Sequence, residues 1–89
     1  MTAPPNVPVF NCVVNVAPPG ADGIVVATVA NLAGLEGRGM SEREALTSVV
    51  GQFKTTVARY HAEGGVIPWI DPPTRPAASE TQRLIAVHL

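Results

Sequence analysis

The side chains that could do chemistry are few and scattered: one cysteine, Cys12, two histidines, His61 and His88, and seven acidic residues. A single thiol and two distant histidines offer no ligand pair at zinc spacing. Cys12 has no basic neighbour and falls in the middle of an alternating apolar run, so it reads as a small buried hydrophobe rather than a nucleophile. His61 falls at the margin of a helical apolar stripe, and His88 lies beside the carboxyl end. Asp22 and Asp71 stand among prolines and glycines, where they serve as turn residues; two-metal hydrolysis would need several converging carboxylates. Gly34, Gly37 and Gly39 precede a helix start and could in principle cradle a phosphate. No lysine follows them as a P-loop requires, and the spacing does not fit a dinucleotide fingerprint, so a tight turn is the better account. No acid, base and nucleophile converge. The sequence therefore predicts a protein that is not an enzyme and needs neither cofactor nor metal.

Two residues remain with an interaction role open to them. Trp69, flanked by Ile67 and Ile70, either covers an open end of the core or anchors an interface, where tryptophan is enriched. Arg38, among the glycines, either points to solvent or reaches an acidic partner.

The positioning elements follow from hydropathy. Residues 41–65 hold the one long helical period: Leu46, Val49, Val50, Phe53, Val57 and Tyr60 share an arc of about 100°. Ser41 with Glu44 forms a capping-box signature, while Gly64, Gly65 and Pro68 mark the far end. Before the helix, Phe10, Cys12, Val14 and Val16 alternate as one face of a strand beginning at Val9, and Asn11 and Asn15 take the other. A Pro/Gly-rich hairpin turn leads to a central strand over residues 24–30, and residues 35–39 give a short third strand. After the helix come a proline-broken apolar patch, a Pro-rich loop over residues 71–80, and a final strand over residues 83–89. Residues 1–8 form an irregular lead-in.

The expected fold is α+β in the order β-β-β-α-β, one domain over residues 1–89, with the long helix on one face of a small, largely antiparallel sheet. Val25 and Val29, if turned away from the helix with part of the last strand, would leave an apolar patch for self-association or a partner.

Composition bounds the rest. Six basic and seven acidic residues give a net charge of −1, which lacks the basic footprint of nucleic-acid binding. The lone cysteine suits a reducing compartment, the N-terminus has no signal-peptide pattern, and no run is long enough to span a membrane. A cytoplasmic location is expected.

The run from Gly23 through the helix to Ile70 resembles the HicB family of antitoxin-like proteins. The matching positions are Leu32, Gly34, Gly39, Ser41, Glu44, Ala45, Gly65, Ile67 and Pro68, in an order that covers about residues 10–69. Ala33 stands where the family usually has proline, Leu35 where it often has cysteine, and the second strand lacks the customary tyrosine. The resemblance implies a protein that binds and inhibits a toxin, a HicA-like ribonuclease encoded in an adjacent reading frame. The alternative is a stand-alone homo-oligomer, a dimer or tetramer. With no helix-turn-helix or ribbon-helix-helix segment after the last strand, direct DNA binding is not expected. The candidate interface residues are Trp69, Val25, Val29 and Arg38.

Overall fold

The computed structural model describes residues 8–89, so all of the expected lead-in except Pro8 lies outside the described residues. The elements are β1 (Val9–Val16), β2 (Val25–Val29), β3 (Glu36–Gly39), α1 (Glu42–Glu63) and β4 (Thr81–His88). All neighbouring strands are antiparallel, in the spatial order β3-β2-β1-β4, and α1 lies on one face. The α+β class and the order β-β-β-α-β are those the sequence predicts.

β1 is the spine of the sheet, because it pairs along its whole length with β4 and over its second half with β2. Pairing with Val16 starts β4 at Thr81, earlier than the apolar alternation alone suggests. The β1–β2 turn is built as its residue types demand: Asp22 accepts from the Ile24 N–H at 3.0 Å, and Gly23 adopts φ 79°.

The helix ends are capped by side chain and glycine respectively. Ser41 Oγ accepts from the Glu44 N–H at 3.2 Å. The Glu44 carboxylate accepts from the Met40 N–H at 3.1 Å, one residue earlier than the standard capping box places it. At the other end Gly64 sits at φ 68°, and the Gly65 N–H donates to the Tyr60 carbonyl at 3.0 Å.

The buried helical positions are Ala45, Val49, Phe53 and Val57, with Leu46 and Val50 half-buried beside them. The stripe is thus rotated toward Ala45 from the arc the hydrophobic residues define. Gly37 and Gly39 are the reason, and they correct the tight-turn expectation: only Gly34, at φ 86°, has a turn conformation. Gly37 and Gly39 lie in β3, where a Cβ on Gly37 would meet the Ala45 carbonyl and, at 2.6 Å, the Val49 nitrogen. A Cβ on Gly39 would come within 2.9 Å of the Ala45 nitrogen. The missing side chains let the helix backbone settle directly on β3, which draws Ala45 inward.

This approach also decides the sheet faces. Gly39 is paired with Val25 and Gly37 with Ala27, so those residues and Val29 point toward the helix with Cys12, Val14 and Val16. Val25 and Val29 are 5% and 4% exposed. Their expected place on an outer apolar patch is therefore wrong, since the β-branched face of β2 is the one the helix stripe buries. No helix among the described residues is long and apolar enough to cross a membrane.

Candidate interaction surface

The face away from the helix is mixed in character. β1 contributes Asn11, Val13 and Asn15, and the paired positions of β4 add Gln82, Leu84 and Ala86. Asn31, just past the end of β2, supplies what that strand no longer can. Its Oδ1 accepts from the Val13 N–H at 3.1 Å, and its Nδ2 donates to the Asn11 carbonyl at 2.7 Å. One side chain thus extends the ladder and satisfies two backbone groups that would otherwise be costly to bury.

The segment after the helix is then stitched across this end of the sheet. The Ile70 N–H donates to the Asn31 carbonyl at 3.0 Å and the Thr74 N–H to the Ala30 carbonyl at 2.8 Å. Asn15 Nδ2 donates to the Thr74 carbonyl at 3.0 Å, and Gln82 Nε2 donates to Asn15 Oδ1 at 3.1 Å. Asn15 and Asn31 are both buried. The alternating pattern marks Asn15 as off the main core face, but it gives no sign that either asparagine anchors a loop distant in sequence.

Pro68 helps to aim Trp69. The Trp69 N–H closes a tight turn onto the Ile67 carbonyl at 2.8 Å, placing the indole over the end of the helix–sheet core. Its ring centroid lies 6.0 Å from that of Phe10 and 6.0 Å from that of Phe53. These distances fit favourable aromatic contact. His61 extends the cluster edge-on to Phe10, with centroids 6.5 Å apart. Trp69 nevertheless stays 39% exposed, so it closes the core and presents aromatic surface outward.

Between the stitched segment and the sheet runs a groove of about 310 Å³, lined by Asn11, Val13, Trp69, Ile70, Asp71 and Leu84 among others. Leu84 is its most exposed apolar wall, at 70%. Arg38 does not belong to this groove. It lies opposite Val26, level with Ala17 just past the end of β1, seven residues along the chain from Phe10 in the aromatic cluster. That separation is about 23 Å at about 3.3 Å per residue. Arg38 pairs instead with its strand neighbour Glu36 at 3.3 Å, on the surface.

The titratable groups do not converge on the groove. Cys12 lies in the core, where burial pushes its thiol up to about 11 and keeps it protonated. His88 shares the outer face of β4 with Leu84 but does not line the groove. Among the described residues no three or more His, Cys, Asp or Glu side chains come together to hold a metal ion.

Fold and surface together define a small α+β chain with an aromatic-walled groove. Compared with known proteins, the chain matches no protein-family model, no curated protein sequence and no solved structure.

Proposed function

We propose that this chain is a HicB-like, antitoxin-type protein of the cytoplasm that binds and inhibits a HicA-like ribonuclease by covering it, with no catalysis of its own. The observation that supports this best is the groove beside Trp69: apolar, partly aromatic and exposed, with no acid, base and nucleophile converging on it. Half-exposed tryptophan held by other rings is the kind of anchor that dominates protein interfaces. The motif positions shared with the family explain fold rather than binding. Ser41 and Glu44 cap the helix, Gly39 and Ala45 bring it onto β3, and Gly65 closes its end. The partner is therefore recognised by surface residues outside that motif.

Co-expression with the product of the adjacent reading frame, followed by affinity purification, tests the proposal. The neighbour co-purifies with the wild-type chain and is lost with Trp69→Ala, provided circular dichroism shows that variant folded. No co-purification with the wild-type chain sinks the antitoxin reading. A second reading, a homo-oligomeric HicB-like module without a toxin, draws its support from the free edge of β4.

A further inference from the structure

β4 is an edge strand of eight residues whose outer side has no partner among the described residues. Its hydrogen-bonding sense is fixed by its neighbours. The Leu89 N–H donates to the Pro8 carbonyl at 3.0 Å, whereas Val13, on β1, bonds toward the opposite side, to Ala30 and Asn31. The even-numbered residues of β1 therefore bond toward β4, and by the register their partners are Thr81, Arg83, Ile85 and Val87. The backbone N–H and C=O groups of Gln82, Leu84, Ala86 and His88 point outward, with no partner among the described residues.

Natural sheets usually spoil such an edge with a proline, a bulge or an outward charge. β4 has none of these. Its register with β1 runs unbroken from Val9 with His88 to Val16 with Thr81, and it contains no proline. The one arginine, Arg83, faces the helix side, where its Nε donates to Glu42 at 2.8 Å.

We propose that the outer edge of β4 pairs antiparallel with β4 of a second copy, about a two-fold axis through Leu84, joining two four-stranded sheets into one of eight strands. Opposed residues in an antiparallel pair lie on the same face, so a two-fold through Leu84 sets every side chain against a same-face partner. The strand's own chemistry selects a second copy as occupant. Leu84, 70% exposed in the monomer, meets Leu84 of the copy at the centre. Gln82 meets Ala86, and Glu80 stands opposite His88 at both ends, an acid against a base. No like charges face each other anywhere along the pair. The outward row closes about six backbone hydrogen bonds through the pairs at 82, 84 and 86. This interface shares Leu84 with the groove beside Trp69, and it gives the self-assembling reading its contact surface.

The test uses the chain alone, so that its failure says nothing about a toxin. Light scattering across micromolar concentrations gives the wild-type chain twice its 9.3 kDa mass. Leu84→Pro removes an outward N–H and leaves the ladder to β1 intact, as proline at an edge position does. Leu84→Lys keeps the backbone and sets two ammonium groups face to face at the axis. Both variants are monomers with an unchanged far-ultraviolet circular dichroism spectrum, and for Leu84→Lys the dimer dissociation constant rises about 100-fold or more. Should Leu84→Pro unfold, Leu84→Lys and amide hydrogen exchange decide: in the wild-type dimer the amides of Leu84 and Ala86 exchange as slowly as those of Arg83 and Ile85. A wild-type chain that stays monomeric overturns the proposal. So does a dimer that survives Leu84→Lys, or one in which Leu84 and Ala86 exchange fast.

Discussion

Adding one methyl group at Gly37 strikes the helix backbone, and adding one at Gly51 touches nothing, so the two glycine-to-alanine changes should move stability in opposite directions. At Gly37 the new Cβ would lie 2.6 Å from the Val49 nitrogen and 2.9 Å from the Val49 Cβ, and also against the Ala45 carbonyl. Two of these neighbours are backbone atoms of a capped helix, which cannot yield like the tip of a flexible side chain. Overpacking of this kind costs about 1–3 kcal/mol, and the rigid neighbours place Gly37→Ala at about 3. Replacing a strand glycine returns about 0.5–1 kcal/mol of backbone entropy, leaving a net loss of about 2 kcal/mol. For a chain of this size that is a fall in Tm of roughly 8–16 °C. At Gly51, in the middle of α1 with no atom within 4 Å of the added Cβ, alanine contributes about 1 kcal/mol, raising Tm by roughly 4–8 °C. Thermal melts of the two variants and the wild type, followed by circular dichroism, read both values. A Gly37→Ala melt at or above the wild type would refute the claim that helix-to-β3 contact depends on absent side chains, and a lowered melt for Gly51→Ala would contradict the open space beside that glycine.

Three more changes probe other parts of the account. Asn31→Leu leaves the Val13 N–H and the Asn11 carbonyl unpaired and should cost about 1–3 kcal/mol for each group that stays buried; urea melts compare it with the wild type. Gly64→Ala, forced to φ 68°, should lose about 1–2 kcal/mol in the same assay without altering the helix content at low temperature. Cys12 is held protonated by burial, with its thiol pushed up to about 11 from 9.0. The folded chain therefore keeps a proton there that the unfolded chain loses, and stability falls as pH rises from about 9 to about 11. The loss is roughly 2–3 kcal/mol and should be absent in Cys12→Ala, as denaturant melts at pH 8 and pH 11 would reveal.

The elements whose signals are local were legible in the sequence. The alternation of Phe10, Cys12, Val14 and Val16, the Ser41–Glu44 cap and the glycine stop at the far end of α1 each follow from neighbouring residues, and each is found. The errors arise where two distant segments decide the outcome. Which face of β2 is buried depends on the glycines of β3, the next strand, meeting the helix beyond it, and pattern alone puts Val25 and Val29 on the wrong side. Asn15 and Asn31 look like an outward strand residue and a turn residue, and only the return of residues 70–74 across the sheet makes them buried anchors. Trp69 was legible as a cover for the open core end, because an isolated tryptophan after a helix stop has few other places to go. Its separation from Arg38 depends on strand register, which hydropathy does not encode.

In the role proposed for it, this chain silences a partner through the surface around Trp69. The most direct test is growth of cells induced to express the adjacent reading frame alone, with the wild-type chain, and with a folded Trp69→Ala chain. Arrest is expected in the first case, growth in the second and arrest again in the third. Growth with the neighbour alone, arrest despite the wild-type chain, or equal rescue by Trp69→Ala would contradict it.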